Sequence, residues 1–160
     1  MLKKIYNFKI MKQILFFFIF VSCSVHQLNK KGANEMDSLE NQNRHTLSVI
    51  EKFNTAFNRH DVEAVMNTMT EDCVFENTSP FPDGTRLEGA VAVRAYWEKF
   101  FTNNPDAIFE AEDIFAAGDR CLVRWIYRKT KDGKPWHIRG VDVFKVRDGK
   151  VAEKFSYVKG

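Results

Sequence analysis

The chain has 160 residues, of which 44% are hydrophobic, 28% charged and 14% aromatic. This composition excludes a disordered, collagen-like or coiled-coil protein and suffices for one domain with its own core. The formal charge of +3 comes from the amino terminus: residues 1–22 hold Lys3, Lys4, Lys9 and Lys12 and no acid, and without them 20 basic and 21 acidic residues leave −1. The body is not basic, which argues against a nucleic-acid partner held through phosphates.

Ile14–Val21 (ILFFFIFV) is an unbroken apolar run followed by Ser22 and Cys23. A lysine-rich start, a short apolar stretch and a small residue before the cut predict a secretory signal over 1–22. The run is too short to span a bilayer, which takes about 20 residues. Met11 opens MKQILFFFIFVSC, itself a compact signal, so Met1 and Met11 are both candidate starts. FVSC resembles a bacterial lipobox: Val21, Ser22 and Cys23 match, and Phe20 stands where leucine is usual. The resemblance implies acylation of Cys23, secretion across the inner membrane and a lipid-anchored protein of the cell envelope, with the anchor as its only membrane contact. Residues 23–44 lack aromatics and read as a polar tether to a domain over 45–160.

Within that domain Leu47, Ile50, Phe53 and Phe57 share a helix face. Asp61 caps a second helix, DVEAVMNTM. Cys73–Thr78 alternates as a strand, and SPFPDG (79–84) is a loop. A third helix, AVAVRAYWEKFF, follows Gly89. From Ala107 the period becomes two, giving strands Ala107–Ala116, Cys121–Lys129, Trp136–Val146 and Val151–Val158. Gly118-Asp119, Asp132-Gly133 and Asp148-Gly149 join them as an antiparallel meander. Helices first and a meander last read as an α+β fold. Cys73 and Cys121 fit no metal-ligand spacing; they read as two buried thiols, with a disulfide as the alternative in an oxidising compartment. With no phosphate-binding glycine loop and no nucleophile elbow in sight, no cofactor and no metal are expected.

Residues 49–77, GAVAVRAYWEKFF (89–101) and RGVDVFKVRDGKVAEKFSYVKG (139–160) resemble the nuclear transport factor 2-like superfamily, in particular its SnoaL-like branch. The resemblance implies a cone: a curved, mostly antiparallel sheet wrapped around three N-terminal helices, with an apolar pocket inside. Ketosteroid isomerase, polyketide cyclases and limonene epoxide hydrolase share that fold with proteins that do no chemistry, so the fold leaves the activity open. In ketosteroid isomerase a first-helix tyrosine and a late-strand aspartate bind the oxyanion while a second aspartate moves the proton. By position the late-strand aspartate is Asp142, but the tyrosine falls on Phe53, the base on Asn77 and a supporting tyrosine on Trp97. Phe53 donates no hydrogen bond and Asn77 takes up no proton, so that route is closed. Of the Asp–Arg–Asp set of limonene-type hydrolases, Asp142 alone is identifiable. Polyketide cyclases, served by one strand aspartate, are the better likeness.

Asp142 is therefore the candidate catalytic residue. Strand parity puts it with Trp136, Ile138, Gly140, Phe144 and Val146 on one apolar face, and puts His137 and Arg139 on the other. A carboxylate there needs a partner or a ligand; accepting a bond from a buried donor is the structural alternative. Asn77, Phe53, Phe57, Tyr96, Trp97, Trp125, Trp136, Phe144 and Lys154 are the candidate substrate-binding residues, Asn77 having a loop cap as its alternative role. The last hairpin has two closures. A two-residue Asp148-Gly149 turn sets Asp142 opposite Phe155; a three-residue loop, favoured here, sets it opposite Lys154 and turns Ala152, Lys154, Ser156 and Val158 inward. The functional expectation is cofactor-free acid/base catalysis on a small hydrophobic molecule. The alternatives are a non-catalytic ligand-binding envelope lipoprotein and a dimeric scaffold; a homodimer is expected from the family and from Arg124, Arg128 and Arg139 on the outer face.

Overall fold

The structure, a computed structural model, describes residues 32–159. The signal segment, Cys23 and the first part of the tether lie outside the described residues. The chain divides into two compact units, residues 1–40 and 41–160. In the first, residues 32–40 are helical and exposed. The tether expectation is thus corrected over 32–44, which is helical throughout. GANEMDSLENQNR holds no proline, and a polar composition does not by itself oppose a helix. Within the second unit Asn43 Oδ1 accepts the Gly118 N–H at 2.7 Å, and the Thr46 hydroxyl donates to the Gly118 carbonyl at 2.8 Å.

The second unit opens with helix α1 (41–58). There follow α2 (Val62–Asn67), β1 (Met69–Glu76), β2 (Arg86–Glu88), α3 (Ala90–Asn103), β3 (Ile108–Ala117), β4 (Arg120–Lys131), β5 (Lys134–Arg147) and β6 (Lys150–Val158). Asp61 caps α2 by accepting the Ala64 N–H at 2.9 Å. This helix is shorter than DVEAVMNTM, and β1 starts before Cys73. Met69 pairs with Val151, whose N–H donates to the Thr68 carbonyl at 2.7 Å, so the sheet claims these residues. The short β2 was not evident from the sequence; it pairs with β1 beyond the SPFPDG loop.

The six strands form one curved, unclosed sheet in the order β2-β1-β6-β5-β4-β3. Every neighbouring pair is antiparallel except β1 with β6. This is the expected α+β cone. Ile50, Phe53, Val65, Val93 and Trp97 of the helices meet Cys73, Phe75, Val123, Phe144 and Val151 of the strands in one core. Cys73 and Cys121 are buried free thiols, and burial pushes Cys121 up to about 11. On the outer face Arg128 pairs with Glu110 at 3.1 Å, while Arg124 and Arg139 share Glu112 at 3.6 and 2.7 Å. These arginines are therefore engaged within the sheet.

The three predicted hairpins are present. Asp132, Gly133, Asp148 and Gly149 all have positive φ, the signature of two-residue type I′ turns. The three-residue loop favoured for the last hairpin is thus corrected: Arg147 pairs with Lys150 and Val146 with Val151. The expected parity survives for another reason. The register slips by one residue between Val146↔Val151 and Lys145↔Glu153, so Asp142 pairs with Ser156 and Phe144 with Lys154. This bulge accommodates the extra residue at Ala152, and Val151 and Ala152 are both buried. Lys154 and Ser156 consequently point to the same side as Asp142.

Gly140 on β5 sits against Trp125 of the neighbouring strand. A methyl group there would lie 2.4 Å from Trp125 Cζ2 and 2.2 Å from the Tyr157 carbonyl. Gly140→Ala is expected to cost about 3 kcal/mol of stability, near the upper end for overpacking. Gly133→Ala, which meets no neighbour within 4 Å but has φ +72°, should cost only about 1 kcal/mol. Urea unfolding of the two variants compares them directly; an equal loss would mean that Trp125 does not depend on the gap at Gly140.

Candidate functional site

The inner face of β4 and β5 lays out the site. Asp142 pairs with Val123, Gly140 with Trp125, Ile138 with Tyr127 and Trp136 with Lys129. At about 3.3 Å per residue, the level of Lys129 lies about 20 Å along the strand from the level of Asp142. Alternating burial along β5 confirms the predicted parity, and His137 and Arg139 are exposed on the other side. Phe53 and Phe57 of α1, Tyr96, Trp97 and Phe100 of α3, Phe75 of β1 and Phe109 of β3 complete the walls. They enclose a cavity of about 490 Å³. Trp97 is the hub of the aromatic wall, stacking on Phe75 at 4.8 Å and meeting Phe53 edge-on at 6.1 Å and Phe57 edge-on at 5.7 Å.

The polar end is built by β5 and β6. Lys154 Nζ lies 2.7 Å from Asp142 Oδ2 and donates to the Ser156 hydroxyl at 2.7 Å. Both members of the pair are buried, Asp142 at 1% exposure and Lys154 at 6%. The contact is an ion pair by distance only: neither carboxylate oxygen of Asp142 receives a properly directed hydrogen bond. Burial pushes the Lys154 ammonium below its ordinary value, and the charge of the Asp142 carboxylate 2.7 Å away offsets that only in part. The rings of Phe75 and Phe144 lie 5.0 and 5.5 Å from Nζ. Among the described residues four donors are also buried without a partner: the Thr70 hydroxyl, away from the cavity, and Trp97 Nε1, Trp125 Nε1 and the Tyr127 hydroxyl. The side chains of Trp97, Trp125 and Tyr127 line the same cavity.

Of the predicted site residues, Asp142, Asn77, Phe53, Phe57, Tyr96, Trp97, Trp125, Trp136 and Lys154 meet at this cavity. Phe144 does not line it; fully buried, it packs edge-on against Phe53 at 5.6 Å and belongs to the core beneath Lys154. Asn77 follows β1 and clips the loop. Its Oδ1 accepts the N–H groups of Ser79 and Thr85 at 3.1 and 2.8 Å, so the carbonyl oxygen is committed to the loop. Burial pushes Tyr96 up to about 12, with a hydrogen bond to the Asn77 side chain opposing it.

Phe75, Phe81, Phe100, Phe109 and Lys129 were not among the predicted binding residues. Phe81 is 73% exposed, yet it lines the cavity from the loop between Pro80 and Pro82. Its signal was a large apolar residue in a proline-bounded loop, where no core is available to it. Lys129 shares the strand parity of Trp125 and Tyr127; its Nζ donates to Asn104 Oδ1 at 2.8 Å and lies 5.6 Å from the Trp136 ring. Among the described residues no group of three or more His, Cys, Asp or Glu side chains is placed to hold a metal ion.

Residues 50–154 match the SnoaL-like domain family. No curated protein matches the chain. Among solved structures, a nuclear transport factor 2-like protein of unknown function from Mesorhizobium loti is 37% identical over 74% of this chain and 94% of its own, with a TM-score of 0.65. A candidate polyketide cyclase from Sinorhizobium meliloti is 23% identical over 69% of this chain and 94% of its own, with a TM-score of 0.58. An epoxide hydrolase of the limonene type from Mycobacterium tuberculosis is 19% identical over 73% of this chain and 84% of its own, with a TM-score of 0.61. At these identities the last two likenesses concern the fold alone. The cone, its inner cavity and the match over 50–154 make the chain a member of the SnoaL-like domain family, with the nuclear transport factor 2-like fold.

Proposed function

We propose that the protein carries out cofactor-free acid/base chemistry on a small hydrophobic molecule, with Asp142 as the group that takes the proton. One observation carries this reading: a buried carboxylate without a directed donor faces an aromatic cavity of about 490 Å³. A carboxylate deprived of hydrogen bonds is costly to bury. A ligand with an acidic C–H or O–H supplies the missing proton donor. Asp142 Oδ2 lies 2.7 Å from the Lys154 Nζ, and the lone pairs of a carboxylate are acceptors that a ligand's proton can meet. The electron pair left on the substrate moves onto a carbonyl oxygen, which the unpartnered donors of Trp97, Trp125 or Tyr127 can bind. Isomerisation, cyclisation and ring opening all begin with such a step.

A second reading, ligand binding without turnover, is favoured by Asn77. Its oxygen is committed to the loop, and among the described residues Asp142 is the one carboxylate lining the cavity. In both readings the protein is a lipoprotein of the cell envelope, exported by residues 1–22 and held by acyl chains on Cys23. Self-association through the family's usual outer face remains part of the proposal on family likeness alone.

α-Proton exchange of β-tetralone in D2O, followed by NMR, tests the catalytic reading without knowledge of the natural substrate. Asp142→Asn should slow catalysed exchange about 100-fold. Unchanged exchange would remove Asp142 from the chemistry. Tyr127→Phe removes an unpartnered hydroxyl, so it should raise the stability of the free protein by about 1 kcal/mol in urea unfolding while weakening retention of carbonyl ligands. A destabilised variant would mean that the hydroxyl has a partner in the free protein. For the anchor, Cys23→Ser should move the protein from the membrane fraction to a soluble one and abolish labelling by radioactive palmitate. A wild-type amino terminus found as unmodified Met1 or Met11 would refute lipidation.

A further inference from the structure

In the reading above Lys154 is only a counter-charge. Its surroundings give it more to do. A lysine carries a strongly hydrated point charge, and burying one is expensive unless hydrogen bonds satisfy both partners of the pair. Here they do not: Asp142 receives no directed bond, and Nζ has one acceptor, Ser156 Oγ, besides the Asp142 contact. The third N–H direction has no hydrogen-bond partner among the described residues. Lys154 lines the cavity together with Asp142 and Ser156, and the Phe75 and Phe144 rings lie 5.0 and 5.5 Å from its Nζ. The other titratable side chains lining the cavity are Tyr96, Tyr127 and Lys129, and the level of Lys129 is about 20 Å along the strand from that of Asp142. The pair is therefore isolated: one amine, one carboxylate 2.7 Å apart, and an open space beside them.

We propose that Lys154 is a nucleophile that forms a covalent imine with an aldehyde or ketone group of the ligand, with Asp142 carrying the protons. This rests on the reading of the cavity as catalytic and names the substrate class as carbonyl compounds. The ammonium first passes a proton to Asp142 Oδ2. The freed nitrogen lone pair forms a bond to the carbonyl carbon while the C=O π pair moves to oxygen. Asp142 returns its proton to that oxygen, then removes a second proton from nitrogen and delivers it to the hydroxyl, which leaves as water. The product is a protonated imine beside a carboxylate, with the same net charge as the starting pair and no oxidant or reductant required. Burial, which pushes the Lys154 ammonium below its ordinary value, favours the first transfer. The iminium then acidifies the neighbouring C–H, which Asp142 is placed to remove.

Benzoylacetone, a small aryl diketone, is a suitable probe, because amine attack gives a stable vinylogous amide with loss of one water. The full chain is incubated with it and analysed by intact mass and peptide mapping, while tryptophan fluorescence follows occupancy. All three tryptophans line the cavity, so quenching reports entry. One adduct on the Lys154 peptide is expected, forming ahead of any on exposed lysines, and Lys154→Arg should abolish it while keeping the positive charge. Because mapping is done on the wild-type chain, the result does not depend on the variant folding. Quenching with adducts confined to exposed lysines would overturn the imine and leave Asp142 as a base intact. Neither quenching nor an adduct at Lys154 would overturn both the imine and the carbonyl-binding cavity on which it rests.

Discussion

The side chains that reach the cavity from the last strand are set by the one-residue slip between Val146↔Val151 and Lys145↔Glu153. Strand faces alternate with period two, so one extra residue inverts everything beyond it. With the type I′ turn alone, Phe155 would face Asp142, Glu153 would face Phe144, and no cation from the last strand would reach the carboxylate. The bulge brings Lys154 and Ser156 inside and turns Phe155 and Tyr157 outward, where Tyr157 is exposed. The buried ion pair, the polarity of the cavity floor and the chemistry available there all follow from that slip. It lies close to the turn, where twist is strongest and a bulge is most readily absorbed.

A cavity of this kind works against the stability of the fold. Aromatic rings on α1, α3 and the inner strands hold one another in edge and stacked contacts, and the middle stays open. Each buried polar atom without a partner costs on the order of 1 to 3 kcal/mol. Trp97, Trp125, Tyr127 and Asp142 all carry such atoms and all face the same space. Scattered through the core they would be isolated defects. Gathered around one cavity, they form a set that a ligand of matching polarity completes, and a loss of stability at a shared site is the usual mark of function.

Much of this was legible in the sequence, for specific reasons. Asp142 stood out because parity put one acid on an otherwise apolar face, and β5 keeps that parity along its length. The Asp-Gly turns were readable because two successive positive φ angles favour those residues. The turn type did not reveal the bulge, since nothing in KVAEKF distinguishes a continuous strand from one that slips at Ala152. Lys154 was placed inward by the right parity and the wrong loop. Residues 32–44 were read as a tether because they lack apolar period; period reports burial, not helicity, and the exposed residues 32–40 are helical without one. Phe144 was assigned to the wall by parity, but parity separates inside from outside, not core from cavity.

The distribution of polarity along the inner face also orients whatever enters. Trp136, Lys129 and Asn104 line the outer stretch, and Asp142, Lys154 and Ser156 occupy the other end. Between them lie about 20 Å of mostly aromatic wall. A molecule entering with its apolar end first would press that end against a desolvated ion pair and leave its own polar group among rings. Entering the other way, its oxygen meets the indole and phenol donors and then the amine, while its apolar body displaces water from aromatic surface at about 25 cal/mol per Å². Desolvation therefore sets the direction. On the proposed chemistry a carbonyl would go deep, the bulk of the molecule would stay in the aromatic section, and variation in ligand length would be taken up at the mouth beside Lys129, far from Asp142 and Lys154.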